Sequence, residues 1–214
     1  MAAGAFGHID ALPDDIRDVF MWLCQDVVSL RLKWDMYLEL FGNPAKSAII
    51  DQLPRPFSVI EEALRTAMTM AVCRLSDPHK SCGKENLNFR ALEVFYGQDE
   101  DFKLLIADFV ASCEPVKKHR DKLVAHSDKV ARLTPQQAMI PQIKRTDIDE
   151  ILKKAETILN HVARNYGNFG YVFGLPGDSG AVSLLYWIEK GLGTRRTAAV
   201  RAGLSAGSIE SSSD

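Results

Sequence analysis

The 214-residue sequence has no uninterrupted apolar run approaching the ~20 residues that a membrane-spanning helix needs, and no charged-then-apolar leader opens it. Neither secretion nor membrane insertion is expected, and the expected compartment is the cytoplasm. Cysteine is scarce and scattered: Cys24, Cys73, Cys82 and Cys113 are far apart, and three of them lie in helical patterns beside apolar neighbours. That placement favours reduced core thiols over a disulfide framework. An excess of one charge sign is also lacking, since the formal net charge is only -2. Affinity for nucleic acid or an anionic surface must therefore be local. There is no internal repeat and no strand-period run able to build a sheet, leaving room only for a small hairpin between Val130 and Ile143.

What the sequence does have is helical periodicity. Its 46% apolar content suffices for a full hydrophobic core. Asp14 and Asp15 follow Pro13 and precede Ile16, Val19, Phe20, Leu23, Val27 and Leu30, which is helical spacing with acids at the positive end. The pattern continues through Trp34, Tyr37, Leu38 and Phe41 to a stop at Gly42, a helix about 40 Å long at ~1.5 Å per residue, which suits a bundle. Ser58 with Glu61 reads as a capping box opening a second helix, carried by Ile60, Leu64, Met68, Ala71, Val72 and Leu75 and ended at Asp77-Pro78. His79 to Glu85 reads as a loop, and Asn86 as the cap of a short helix bearing Leu87, Ala91, Leu92, Phe95 and Tyr96.

From Glu100 the period runs through Phe102, Leu105, Ile106, Phe109 and Val110, then meets Pro115, which is expected to kink or restart the helix before Lys117. Thr146 opens a further helix with Ile148, Ile151, Leu152, Ala155, Leu159 and Val162 as its buried face. Tyr166 to Gly180, with five glycines, is a connector, and a short apolar helix follows from about Ala181 to Ile188. The expected organisation is a flexible N-terminus over 1–13, one helical domain over 14–190, and a disordered tail over 191–214. The expected fold class is all-α.

Lys117 to Arg132 concentrates Lys117, Lys118, Arg120, Lys122, Lys129 and Arg132 against only Asp121 and Asp128, on a chain that is otherwise acidic. A phosphate-binding surface has this character, and so does a solvated helix face whose cations favour its C-terminal end. Arg120 and His126 are six positions apart, which on an ideal helix puts them ~120° apart and ~9 Å along the axis. They converge only if the helix unwinds near His126 or a second copy contributes across a dimer interface. Their chemistry suits phosphodiester cleavage: a histidine with an ordinary pKa of ~6.5 exchanges protons near neutrality, and a guanidinium grips a phosphate and offsets the charge growing on it. A capping or packing histidine is the plainer reading of the same residue.

Other constellations are weaker. Cys73, His79, Cys82 and Cys113 offer no second short-spaced ligand pair of the kind zinc sites show. Gly167, Gly170, Gly174, Gly177 and Gly180 match neither a Walker-type loop nor a dinucleotide fingerprint.

The string Arg120-Asp121-Lys122-Leu123-Val124-Ala125-His126-Ser127-Asp128 resembles the signature of the HEPN superfamily (higher eukaryotes and prokaryotes nucleotide-binding). Cys73-Arg74-Leu75-Ser76-Asp77-Pro78 with Gly83-Lys84-Glu85-Asn86-Leu87 resembles its abortive-infection AbiU-like branch, and the likeness spans roughly Pro54 to Tyr166. The resemblance implies an up-and-down bundle of four to five helices, here with a long N-terminal helix, that dimerises so that paired motifs line a cleft. It further implies a metal-independent endoribonuclease, a toxin or phage-defence effector, that leaves a 2′,3′-cyclic phosphate and a 5′-hydroxyl. His126 would be the acid/base, Arg120 would hold the scissile phosphate and Asp121 would orient one of them. Lys117, Lys118, His119, Lys122, Ser127, Asp128, Lys129 and Arg132 would bind RNA. No cofactor or metal is expected. The expected partners are RNA, a second copy of the chain, and an antitoxin or nucleotidyltransferase. A non-catalytic helical dimer that binds nucleotides or proteins is the alternative.

Overall fold

The computed structural model describes residues 11–96, 98–125, 141–167, 170–173 and 179–201. The long N-terminal helix, α1, spans Asp14–Phe41, the bounds its sequence pattern predicts. Asp14 and Asp15 occupy its first turn, complementing the unpaired N–H groups there. It stops at Gly42, whose N–H bonds to the Leu38 carbonyl at 2.8 Å and where a Cβ would collide with that same oxygen. A short turn at Pro44–Lys46, capped by Asn43 Oδ1, leads into α2, Ser47–Ile50.

α3 spans Pro54–Ser76, so it begins four residues before Ser58. Proline at the first helical position loses no bond there, and Ser58 Oγ donates to the Arg55 carbonyl at 2.9 Å rather than capping. The expected loop after Pro78 is a two-stranded hairpin, β1 Lys80–Ser81 and β2 Lys84–Glu85, paired Lys80 to Glu85 and Ser81 to Lys84. Cys82 (φ 50°) and Gly83 (φ 76°) make its turn; both sit in the left-handed region that a two-residue hairpin requires, and a Gly fits it without strain. The expected short helix is a 3₁₀ segment, Phe89–Val94. Asn86 does not cap it but donates to the Pro78 carbonyl at 2.9 Å.

α4 spans Glu100–His119, with Asp99 Oδ1 accepting from the Phe102 N–H at 2.9 Å. The helix does not restart at Pro115 but continues through it to His119. Cys113 and Val116 on either side are buried, and their packing holds the turn although proline removes one backbone bond. The irregularity comes five residues later, as a π turn over Arg120–Ala125. α5 spans Arg145–Gly167 and buries each of the face residues the sequence marks, together with Ile158 and Ala163. The last helix, α6, spans Ala181–Arg201, well past Ile188 and into the expected tail; residues 202–214 lie outside those described, as do most of the possible hairpin and residues 1–10.

The chain divides into two compact units, one of residues 1–34 with 62–175, the other of residues 35–61 with 176–214. In the first, antiparallel pairings fix the bundle. Asp99 meets His161 (3.1 Å) and Asp108 meets Lys154 (2.9 Å) between α4 and α5, while Arg31 meets Glu156 (2.6 Å) and Trp34 Nε1 donates to Asp149 Oδ1 (2.7 Å) between α1 and α5. Phe20, Leu23, Phe89, Leu92, Phe102, Ile106, Phe109, Ile151 and Leu159 fill its core. This is the all-α bundle that the sequence pattern leads one to expect. In the second unit Ser179 Oγ donates to Glu39 Oε2 at 2.5 Å, and Phe41 meets Phe57 edge-on at 6.4 Å. Among the described residues no helix is long and apolar enough to cross a membrane.

Asn160 closes the segment after α5 onto the bundle. Its Oδ1 accepts from the Tyr171 N–H at 2.6 Å and its Nδ2 donates to the Tyr171 carbonyl at 3.1 Å, imitating a strand pairing. The Asn160→Ala protein should lose about 1–3 kcal/mol, read as a lower denaturant midpoint, with faster proteolysis at 170–173.

Candidate functional site

The helical period places Lys117 and Arg120 three residues apart, hence on one face of α4, and that face meets the C-terminal end of α3. Lys117 Nζ donates to the Ser76 carbonyl at 2.9 Å, satisfying one of the orphan acceptors of the α3 terminus with a cation suited to its negative end. With its side chain 15% exposed and Glu114 at 3.5 Å, Lys117 is largely committed to this contact. Arg120 lies one turn further on. Its Nη1 is 3.3 and 3.4 Å from the two Asp77 carboxylate oxygens, while Nε and Nη2 each approach Asp121 Oδ1 at 2.8 Å. Burial works against the charge on Arg120, but the Asp121 bond and the nearby carboxylates outweigh it and raise its pKa above the ordinary value.

The α3 terminus under this pair is tightly held. Ser76 Oγ donates back to the Val72 carbonyl at 2.9 Å, and the buried Asn88 donates to the carbonyls of Asp77 (3.0 Å) and Pro78 (3.2 Å). Nearby Cys73 is a neutral thiol, its pKa pushed up to about 11 by burial; burial likewise raises Cys113 and Cys24 to about 12. Cys82 is exposed on the hairpin. Among the described residues no three His, Cys, Asp or Glu side chains gather as metal ligands.

The π turn that carries Arg120 and Asp121 begins where the α-helical bonding of α4 ends. Such turns are frequent at functional sites. Asp121 and Lys122 follow on it, Lys122 half-buried and Asp121 with its side chain 55% exposed. Lys118 sits one residue beyond Lys117, on a neighbouring face of α4. His126, Ser127, Asp128, Lys129 and Arg132 lie outside the described residues.

His119 turns another way. Desolvation first, and then the charge of Arg65 on α3, lower its pKa, against a hydrogen bond to the Pro141 carbonyl. Its Nδ1 is buried without a partner. The unfolded chain thus takes up a proton below about pH 6.5 that the folded chain resists. His119's contribution to stability is complete above that pH and diminishes as the pH falls through the lowered value. Urea midpoints measured from pH 7.5 to 5 should drop less steeply for His119→Gln than for the unaltered protein.

Sequence reasoning missed Asp77 as the partner of Arg120. The two are 43 residues apart, and no local spacing links them.

The family comparison identifies this helical bundle as a HEPN domain. The AbiU2 family model of HEPN domains matches residues 14–183, and the chain belongs to that family. The curated proteins and the solved structures give no match.

Proposed function

We propose that the protein is an endoribonuclease, active without a metal, whose reaction centre is built from Arg120, Asp121 and His126. The observation that carries this reading is the presentation of Arg120 at the π turn, with His126 six residues on in the string that resembles the HEPN signature. In the reaction His126 takes the proton of a ribose 2′-hydroxyl, or delivers one to the departing 5′-oxygen, as the 2′-oxygen attacks the adjacent phosphorus and the P–O5′ bond breaks. The products are a 2′,3′-cyclic phosphate and a 5′-hydroxyl. Arg120 holds the phosphate and offsets charge on its oxygens, and Asp121 keeps the guanidinium oriented. Lys118 and Lys122, joined by Lys129 and Arg132, supply sequence-independent phosphate contacts.

The working species is a homodimer in which two copies of the motif share one cleft. Membership of an abortive-infection family supports a role as a cytoplasmic toxin or phage-defence effector, restrained by an antitoxin or nucleotidyltransferase. One observation favours a non-catalytic reading: Arg120 already faces two carboxylates with its side chain only 20% exposed, as in a purely structural ion pair. RNA cleavage in excess chelator, compared with Arg120→Ala and His126→Ala, separates the two. Loss in both variants supports the nuclease; no cleavage of diverse RNAs by the folded wild-type protein supports the binding module.

A further inference from the structure

The geometry points to Asp77 as the positioning residue that anchors Arg120 to the bundle and so fixes where its guanidinium meets the substrate phosphate, an inference that rests on the ribonuclease reading. Two carboxylates hold Arg120, and they are not equivalent. Asp121 is its sequence neighbour on the same π turn, with its side chain more than half exposed, so it moves with Arg120 and cannot fix it relative to the core. Asp77 belongs to another element. Its carbonyl accepts from the fully buried Asn88, and the preceding Ser76 is tied back into α3 and receives Lys117. Among the described carboxylates at Arg120, Asp77 is therefore the one referenced to the packed interior.

The division of donors suits a phosphate site. A guanidinium has five N–H groups in a rigid fork. Asp121 takes the Nε/Nη2 side, and Asp77 meets the fork at Nη1 alone, at 3.3 and 3.4 Å, longer than a well-formed charged pair. The end edge between Nη1 and Nη2 is the one through which two N–H groups can grip a phosphate side by side. The contact to Asp77 is the longer of the two and ties the fork to the packed bundle, while Asp121 makes the short one.

The test uses the full-length protein with Asp77→Asn and Asp77→Ala. Three quantities are read: kcat and KM on RNA, the thermal midpoint, and the NMR signal of the Arg120 Nε–H, assigned by its disappearance in Arg120→Lys. In Asp77→Ala the signal should broaden or exchange faster, and kcat should fall roughly ten- to a hundred-fold with KM changed less than about threefold. The midpoint should stay within a few degrees. Asp77→Asn keeps an oxygen for Nη1 and should recover part of the kcat. An unchanged Arg120 signal in Asp77→Ala would overturn the inference. So would a rise in kcat/KM, which would make Asp77 a competitor of the phosphate, or a loss of kcat that merely tracks the folded fraction. If the wild-type protein cuts no RNA and yet the signal responds to Asp77→Ala, the anchoring stands and the ribonuclease reading falls.

Discussion

His126→Ala is expected to slow RNA cleavage about 10²–10⁴-fold, the usual contribution of a positioned acid/base group, with helix content by circular dichroism unchanged. Arg120→Ala should cost a comparable factor, about 10²–10³, because it removes donors aimed at the charge that develops on phosphate. Arg120 differs from His126 in having a visible structural tie, since its removal leaves Asp77 and Asp121 without their shared cation. Arg120→Lys separates the two roles. It retains a positive charge between the carboxylates, hence most of the stability, but a single ammonium cannot reproduce the bidentate grip. Cleavage should therefore remain low in Arg120→Lys while the thermal midpoint recovers. The Arg120→Ala/His126→Ala double variant should be little slower than either single one, as groups acting in one step are strongly non-additive. Full activity in His126→Ala would sink the mechanism.

The largest effect on stability is expected at Phe109. Its ring is fully buried in the middle of α4 and meets Phe89 edge-on at 4.8 Å. Phe109→Ala should remove about 3–5 kcal/mol through lost burial and the cavity left behind. In a chain of this size that corresponds to a fall in thermal midpoint of roughly 6–20 °C. Because the residue lies far along α4 from Arg120, activity per folded molecule well below the new midpoint should change little. Calorimetry beside a cleavage assay at low temperature checks both halves, and a loss under about 1 kcal/mol would mean that Phe109 does not close the core as its packing indicates.

Much of the helical framework is legible in the chain because local interactions dictate it. The apolar spacing of Ile16, Phe20, Leu23, Val27 and Leu30, the acids after Pro13, and the stop at Gly42 mark α1 at both ends. The start of α4 at Glu100 and the buried stripe of α5 are equally local signals. The errors also have local causes. Ser58 and Glu61 satisfy a capping-box pattern, but Pro54 starts α3 a turn earlier. Pro115 has the sequence character of a break, yet the packing of Cys113 and Val116 overrides it. The last helix outruns its apolar pattern to Arg201.

The site divides along the same line. Residue types mark Lys117 to Asp128 as the chemically interesting stretch, because an arginine, a histidine and a local excess of cations fall together there. Tertiary structure decided what each cation faces. Lys117, grouped with the RNA-binding residues on charge alone, meets the α3 terminus; His119 is kept neutral by burial and by Arg65; and Arg120 is held by Asp77. A sequence fixes periodicity and caps through bonds that span a turn or two. Pairings across 41 and 43 residues, such as Lys117 with Ser76 and Arg120 with Asp77, exist only once the helices have packed and brought their ends together.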